Sequence, residues 1–209
     1  MSKSEIILFG AGGHAHACID VIEQDGRYRI AGLVGMQDEL QAQHLGYSVI
    51  ATDDDMQRLA GKYQQAFITV GQLESPDTRM RLLQRILNLG FALPSFVAPS
   101  AYVSKHARIE AGTIVMHGAI VNAGATVGKN CIINSRALVE HDVVVGDNCH
   151  VSTGAILNGS VRVGSGSFVG SGCVIRDRIA LGQRCIVGMG LCVRHDQADN
   201  AKIMDAKTS

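Results

Sequence analysis

The second half of the chain carries a hydrophobic beat of six. Every sixth residue from Val97, Val103 and Ile109 through to Val187 and Val193 is Val, Ile or Leu, without a break. A helix repeats at about 3.6 residues and a plain strand at about 2, so neither alone gives this pattern. A period of six is a β-helix repeat. The fourth residue after each beat position, from Ala101 to Leu191, is Ala, Cys, Ser or Thr in most hexads and Val, Ile or Leu in the rest. One large and one small inward residue per hexad would fill a slender prism. Sorted by steps of eighteen, the small positions form columns: Val143, Val161 and Ile179; Cys131, Cys149, Ser167 and Cys185; Ala137, Ala155, Cys173 and Leu191. The pattern predicts three hexads per triangular coil, with coils bonded edge to edge at about 4.8 Å. The residue after each beat position is mostly Gly, Asn or Ser, types that tolerate the left-handed backbone expected at corners.

The first 95 residues follow a different rhythm. "EIILFG" reads as a buried strand, followed by a glycine turn and a helix with Ala17, Cys18, Val21 and Ile22 on one side. "RIAGLVG" and "AFITVGQ" read as further strands. "DDDMQRLAGKY" places Met56, Leu59, Ala60 and Tyr63 at helical spacing, and "SPDTRMRLLQRILNLG" begins with an N-cap serine and a first-turn proline and stops at Gly90. Alternating β and α segments predict a small parallel sheet with helices on its faces. The division is therefore a small α/β domain over 1–95, a β-helix over 96–194, and a tail over 195–209 that caps the last open coil edge.

Composition narrows the function classes. The chain is 46% hydrophobic and 18% charged with a formal net charge of +0, which is no footprint of a nucleic-acid binder. No apolar run is long enough to span a membrane, and "MSKSEIILFG" has no signal-peptide layout, so a cytoplasmic protein with reduced thiols is expected. The six cysteines form no CxxC and read as small interior hydrophobes.

Two stretches carry candidate chemistry. "GAGGHA" is an imperfect GxGxxG, whose backbone amides at a helix N-terminus attract phosphate. Its candidate substrate contacts are Gly12, Gly13 and His14. In "LVEHDVVVGDNCH", His141 lies two places after Val139 and so faces outward, with Asp142 beside it. Histidine can accept a proton near neutral pH, and a neighbouring carboxylate fixes its tautomer and favours the imidazolium. No serine or cysteine is placed to act as a nucleophile, so direct transfer is expected. A zinc site built from His117, His141 and His150 is disfavoured, because the first two are four hexads apart and fall on different faces of the coil.

A strand-"GAGGH"-helix start, the lead-in "PSFVAPSAYV" and the coil "NSRALVEHD" together resemble the NeuD/PglD-type sugar acyltransferases of the hexapeptide-repeat superfamily, over nearly the whole chain. The resemblance implies a left-handed β-helix and a homotrimer with acetyl-CoA bound between subunits. It also implies a nucleotide-activated amino sugar, UDP-linked, held by the α/β domain, as a step in glycan or surface-polysaccharide synthesis. It assigns His141 as general base with Asp142 raising its basicity, places His150, Gly159 and Gly188 against acetyl-CoA, and requires no metal. Where relatives often carry an acidic pair after the second strand, this chain reads "VGMQDEL", leaving Asp38 as the candidate with Glu39 next to it. His16 stands where many relatives have a basic residue. Sugar O-acetylation and a non-catalytic trimer are the alternatives.

Overall fold

The structure is a computed structural model that describes Lys3 to Met204. It divides into an α/β unit, running to Gly71 and resuming over Asp77–Phe96, and a coil unit made of Gln72–Pro76 with the chain from Val97 on.

The α/β unit holds β1 (Ser4–Phe9), α1 (Gly13–Asp25), β2 (Tyr28–Gly35), β3 (Gln43–His44), β4 (Tyr47–Thr52), α2 (Met56–Ala60), β5 (Gln65–Ile68) and α3 (Asp77–Asn88). The sheet order is β3-β4-β2-β1-β5, parallel except for the β3/β4 hairpin. One face packs Ile7, Phe9, Val34 and Ala51 against Met56, Leu59, Tyr63, Leu82 and Ile86. The sequence reading passed over β3 and β4. Leu45 and Gly46, both at positive φ, make the tight turn that folds "YSVIAT" back as β4. On α1 Cys18, Val21 and Ile22 are buried as read, together with Ala15 and Ile19, while Ala17 faces out. Ala15, Cys18, Ile19 and Ile22 have the i, i+3, i+4, i+7 spacing of a helix with one packed face.

The coil unit is a stack of two-residue parallel strands in which each strand pairs with the one eighteen residues on, as Ile120 does with Leu138 and Leu138 with Ile156. Three sheets result. The first face presents Tyr102, Ile120, Leu138, Ile156, Val174 and Cys192 outward; the second presents Arg108, Thr126, Val144, Arg162 and Ala180; the third presents Ile114, Ile132, His150, Phe168, Ile186 and Lys202. Beat residues such as Val121, Val139 and Leu157, and fourth residues such as Ala137, Cys149 and Val161, are fully buried in one continuous core.

Two details differ from the sequence reading. The left-handed corner residue is the third after the beat, not the first: Gly118, Gly124, Asn130, Arg136, Asp142 and Ser160 all have positive φ. The glycines directly after the beat concentrate at the edge between the second and third faces. There a Cβ on Gly146 would stand 2.7 Å from Ser165 N, and one on Gly164 2.4 Å from Gly182 C. Contact between coils, not corner handedness, selects these glycines.

This edge also leaves backbone amides without the short turn bond used at the other two, where Val143 N reaches Glu140 O and Ala155 N reaches Ser152 O. The interior column supplies the partner. Cys131 N donates to Thr113 Oγ1, Cys149 N to Cys131 Sγ, and Cys185 N to Ser167 Oγ. The same side chains donate onward, Cys131 to Gly146 O and Ser167 to Gly182 O. The cysteines here are hydrogen-bonding groups as well as small apolar fillers.

The segment after Val193 runs along the last coil, where Gln197 bridges to Leu181. Lys202–Ile203 pairs with Ile186–Val187, a step two residues shorter than the others. Residues 205–209 of the expected cap lie outside the described residues.

Candidate active site

His141 and Asp142 form the corner that carries the chain from the first face to the second. Asp142 occupies the left-handed position at φ 59°, which a short polar side chain tolerates. Its Oδ2 lies 3.0 Å from His141 Nδ1. A carboxylate only accepts, so Nδ1 carries the hydrogen and Nε2 presents its lone pair. Glu140 steadies the corner: its Oε2 accepts the His141 amide at 3.2 Å and Asn122 Nδ2 at 3.0 Å. The sequence signal for Glu140 was its break in a Gly/Asn/Ser column, which carried no assignment until the structure supplied these bonds.

Two glycines in neighbouring coils make room for the pair. A Cβ on Gly124 would sit 2.3 Å from Asp142 Oδ1, and one on Gly159 would sit 2.7 Å from both Cε1 and Nε2 of His141. Gly124 was missed in the sequence, although it is eighteen residues before Asp142 and the period pointed to it. Hydrogen bonding to Asp142 holds the His141 pKa above its ordinary value of 6.5; the charges of Asp142, Glu140 and Asp177 add to this, while partial desolvation opposes it. The ring remains 61% exposed, at the mouth of an open recess of about 360 Å³ lined by Gly159, Ser160, Arg176, Asp177 and Arg178.

The other candidates lie elsewhere. His150 is not at a corner but on the third face, 5% exposed. Its Nδ1 donates to Gln72 O at 2.6 Å, Nε2 lies 3.0 Å from Asn134 Nδ2, and the ring stacks edge-on to Phe168. Gln72, also buried, in turn donates to Asn148 O at 3.0 Å. Gly188 follows the third face, at a different edge of the prism from His141 and Gly159. A single coil unit therefore does not bring His150 and Gly188 to His141.

In the α/β unit, Gly12 and Gly13 open α1 with no side-chain cap and no acid in the first turn. A Cβ on either would meet nothing within 4 Å, so their bareness leaves open space above the helix amides. His14 Nε2 lies 3.3 Å from Cys18 Sγ, and burial pushes that thiol up to about 12, so the sulfur stays protonated. Asp38 is exposed, whereas Glu39 folds back: its Oε2 accepts Met36 N at 2.7 Å and hangs over Gly35, next to Ala11 of the glycine turn. His16 Nε2 pairs with His44 Nδ1 at 3.0 Å. Among the described residues no cluster of His, Cys, Asp or Glu could hold a metal ion, and no helix is long and apolar enough to cross a membrane.

Comparison with known proteins decides the family. Residues 5–86 match the PglD N-terminal domain, 124–159 the bacterial transferase hexapeptide, and 160–194 the hexapeptide repeat of succinyl-transferase. PerB from Caulobacter crescentus, solved with CoA and GDP-perosamine, is 30% identical with a TM-score of 0.88, covering 96% of this chain and 94% of its own. This chain belongs to the PglD-type sugar acetyltransferases of the left-handed β-helix superfamily. The acetyltransferase domain of PglB from Neisseria gonorrhoeae, solved with acetyl coenzyme A, is 29% identical with a TM-score of 0.87, covering 96% of each chain. WeeI from Acinetobacter baumannii, at 18% identity and a TM-score of 0.85 over 98% of each chain, shares the fold. Variants of the Caulobacter acetyltransferase with a histidine replaced by asparagine or alanine were solved with CoA and GDP-perosamine bound. No curated protein gives a sequence match.

Proposed function

We propose that this acetyltransferase moves the acetyl group of acetyl-CoA to the amine of a nucleotide-linked amino sugar, with His141 as general base. The observation that carries this reading is the fixed tautomer: Asp142 holds Nδ1, and Nε2 opens onto the recess. The acceptor nitrogen attacks the thioester carbon, forming C–N and breaking C–S. Nε2 takes the nitrogen's proton and passes it to the departing CoA thiolate. Asp142 stabilises the imidazolium between these two transfers. That the histidine variants of the Caulobacter enzyme still hold both ligands supports a chemical rather than an anchoring role for such a residue.

The amides opening α1 suit the diphosphate of the sugar nucleotide, with Gly12, Gly13 and His14 around it. Glu39, whose carboxylate folds over Gly35 at the end of β2, is better placed than Asp38 to accept from a ribose hydroxyl. The nucleotide is UDP in this reading, whereas PerB was solved with a GDP sugar.

The working unit is a trimer. The first face is apolar along its whole height, with Tyr102 58% and Ile120 39% exposed, and His141 stands at its edge. A neighbouring copy laid on that face would enclose the recess and would bring its own third-face edge, with Gly188, to the donor, and His150 behind that edge.

The deciding assay is thiol release from acetyl-CoA with UDP-, dTDP- and GDP-linked amino sugars and their hydroxyl counterparts. Turnover with a UDP-amino sugar is expected. Turnover confined to hydroxyl sugars would replace this reading with O-acetylation, and none with any acceptor would leave a non-catalytic trimer.

A further inference from the structure

We propose that Asp177 is the residue that selects an amine over a hydroxyl, by holding the acceptor's ammonium beside His141 Nε2. This deepens the acetyl-transfer reading and rests on it. His141, Gly159 and Asp177 are successive members of one eighteen-residue column. Because the middle residue has no side chain, the outer two border the same gap. The point where a Gly159 Cβ would stand is 2.7 Å from Nε2 and 3.5 Å from Asp177 Oδ1. A nitrogen placed in that gap can hydrogen-bond to both at ordinary distances of about 2.8–3.0 Å. Asp177 is exposed and, among the described residues, has no ion-pair partner, although Arg176 and Arg178 flank it in the sequence and line the same recess. The two carboxylates therefore divide the work. Asp142 addresses the proton-bearing side of the ring, and Asp177 faces the side where the acceptor must come.

An amino sugar arrives in neutral water as an ammonium, which has no lone pair. Held by Asp177, it gives one proton to Nε2, which releases it to water, and the freed nitrogen attacks the thioester carbon. The second proton leaves the nitrogen through Nε2 for the CoA thiolate as C–S breaks. One ammonium and one acetyl-CoA thus give one amide, one thiol and one proton. A hydroxyl brings no charge, so its hydrogen bond to the Asp177 carboxylate lacks the attraction between opposite charges that an ammonium adds.

The test compares the full-length protein with its Asp177→Asn and Asp177→Glu variants, using a matched amine and hydroxyl acceptor. Asp177→Asn should raise the amine acceptor's KM by about 10- to 100-fold, as expected for a lost hydrogen bond to a charged group. The KM for acetyl-CoA should not change, and the preference for amine over hydroxyl should fall by the same factor. The acid limb of kcat/KM should also move to lower pH, because a negative charge near His141 is gone. Asp177→Glu, which keeps the charge, should recover much of the preference. An unchanged amine KM and preference in Asp177→Asn, with the wild type active on amines, would remove the Asp177 assignment alone. A wild type that acetylates no amine would remove both readings.

Discussion

At His141 the site depends on side chains that are missing as much as on those present. Ring and carboxylate fit because Gly159 and Gly124 have no Cβ. Gly159→Ala should therefore push the imidazole off its position and reduce kcat, with an unchanged circular dichroism spectrum. His141→Ala should lower kcat by about 10² to 10⁴ while acetyl-CoA binding, measured by calorimetry, persists. As the proposed base, His141 would work only when neutral, so activity should fall as pH drops through its pKa, which the Asp142 bond raises above 6.5. Asp142→Asn removes that support, so the acid limb of the pH–rate profile should move to lower pH even as the maximum rate falls. An unmoved limb would show that the acid does not set the base. The His-Asp pair and its outward slot were legible in the sequence because adjacency and period are local properties. The direction of the Nε2 lone pair and the glycine cradle were not, since both depend on residues eighteen positions away touching across coils.

Among the elements, the coil was the most legible part of the chain. A beat of six with a secondary column at eighteen leaves little freedom in how such strands stack. The α/β unit was read less well. Its β3/β4 hairpin turns on Leu45–Gly46, not a strong turn pair, and β4, YSVIAT, does not alternate apolar with polar residues. The Thr113–Cys131–Cys149–Ser167–Cys185 column shows what a hydropathy reading hides, for the same residues serve as filler and as hydrogen-bond relay. Cys131→Ala would leave Cys149 N and Gly146 O without their partner and should cost about 1–3 kcal/mol in denaturant unfolding. Cys131→Ser should cost much less, because Ser167 already makes the same two bonds. Equal losses for both variants would reduce the column to packing alone.

For the whole molecule, the proposed trimer would make the first face the link between assembly and activity. A charge at Ile120 or Leu138 would lie in the middle of an apolar strip; Ile120→Asp should shift the protein from trimer to monomer in analytical ultracentrifugation and abolish turnover, although it touches no proposed catalytic group. Retained activity in the monomer would show that one chain completes the recess. No reading of one sequence could settle this, because a column of outward Ile, Leu and Val is equally compatible with a neighbour's cover and with exposure. Of the six thiols, five are buried and only Cys192 is exposed, on that same face. An alkylating reagent applied to the native protein should therefore modify Cys192 at a rate that reports whether the face is covered: slow in the assembled protein and fast in the Ile120→Asp variant. The chain carries its own chemical probe of association.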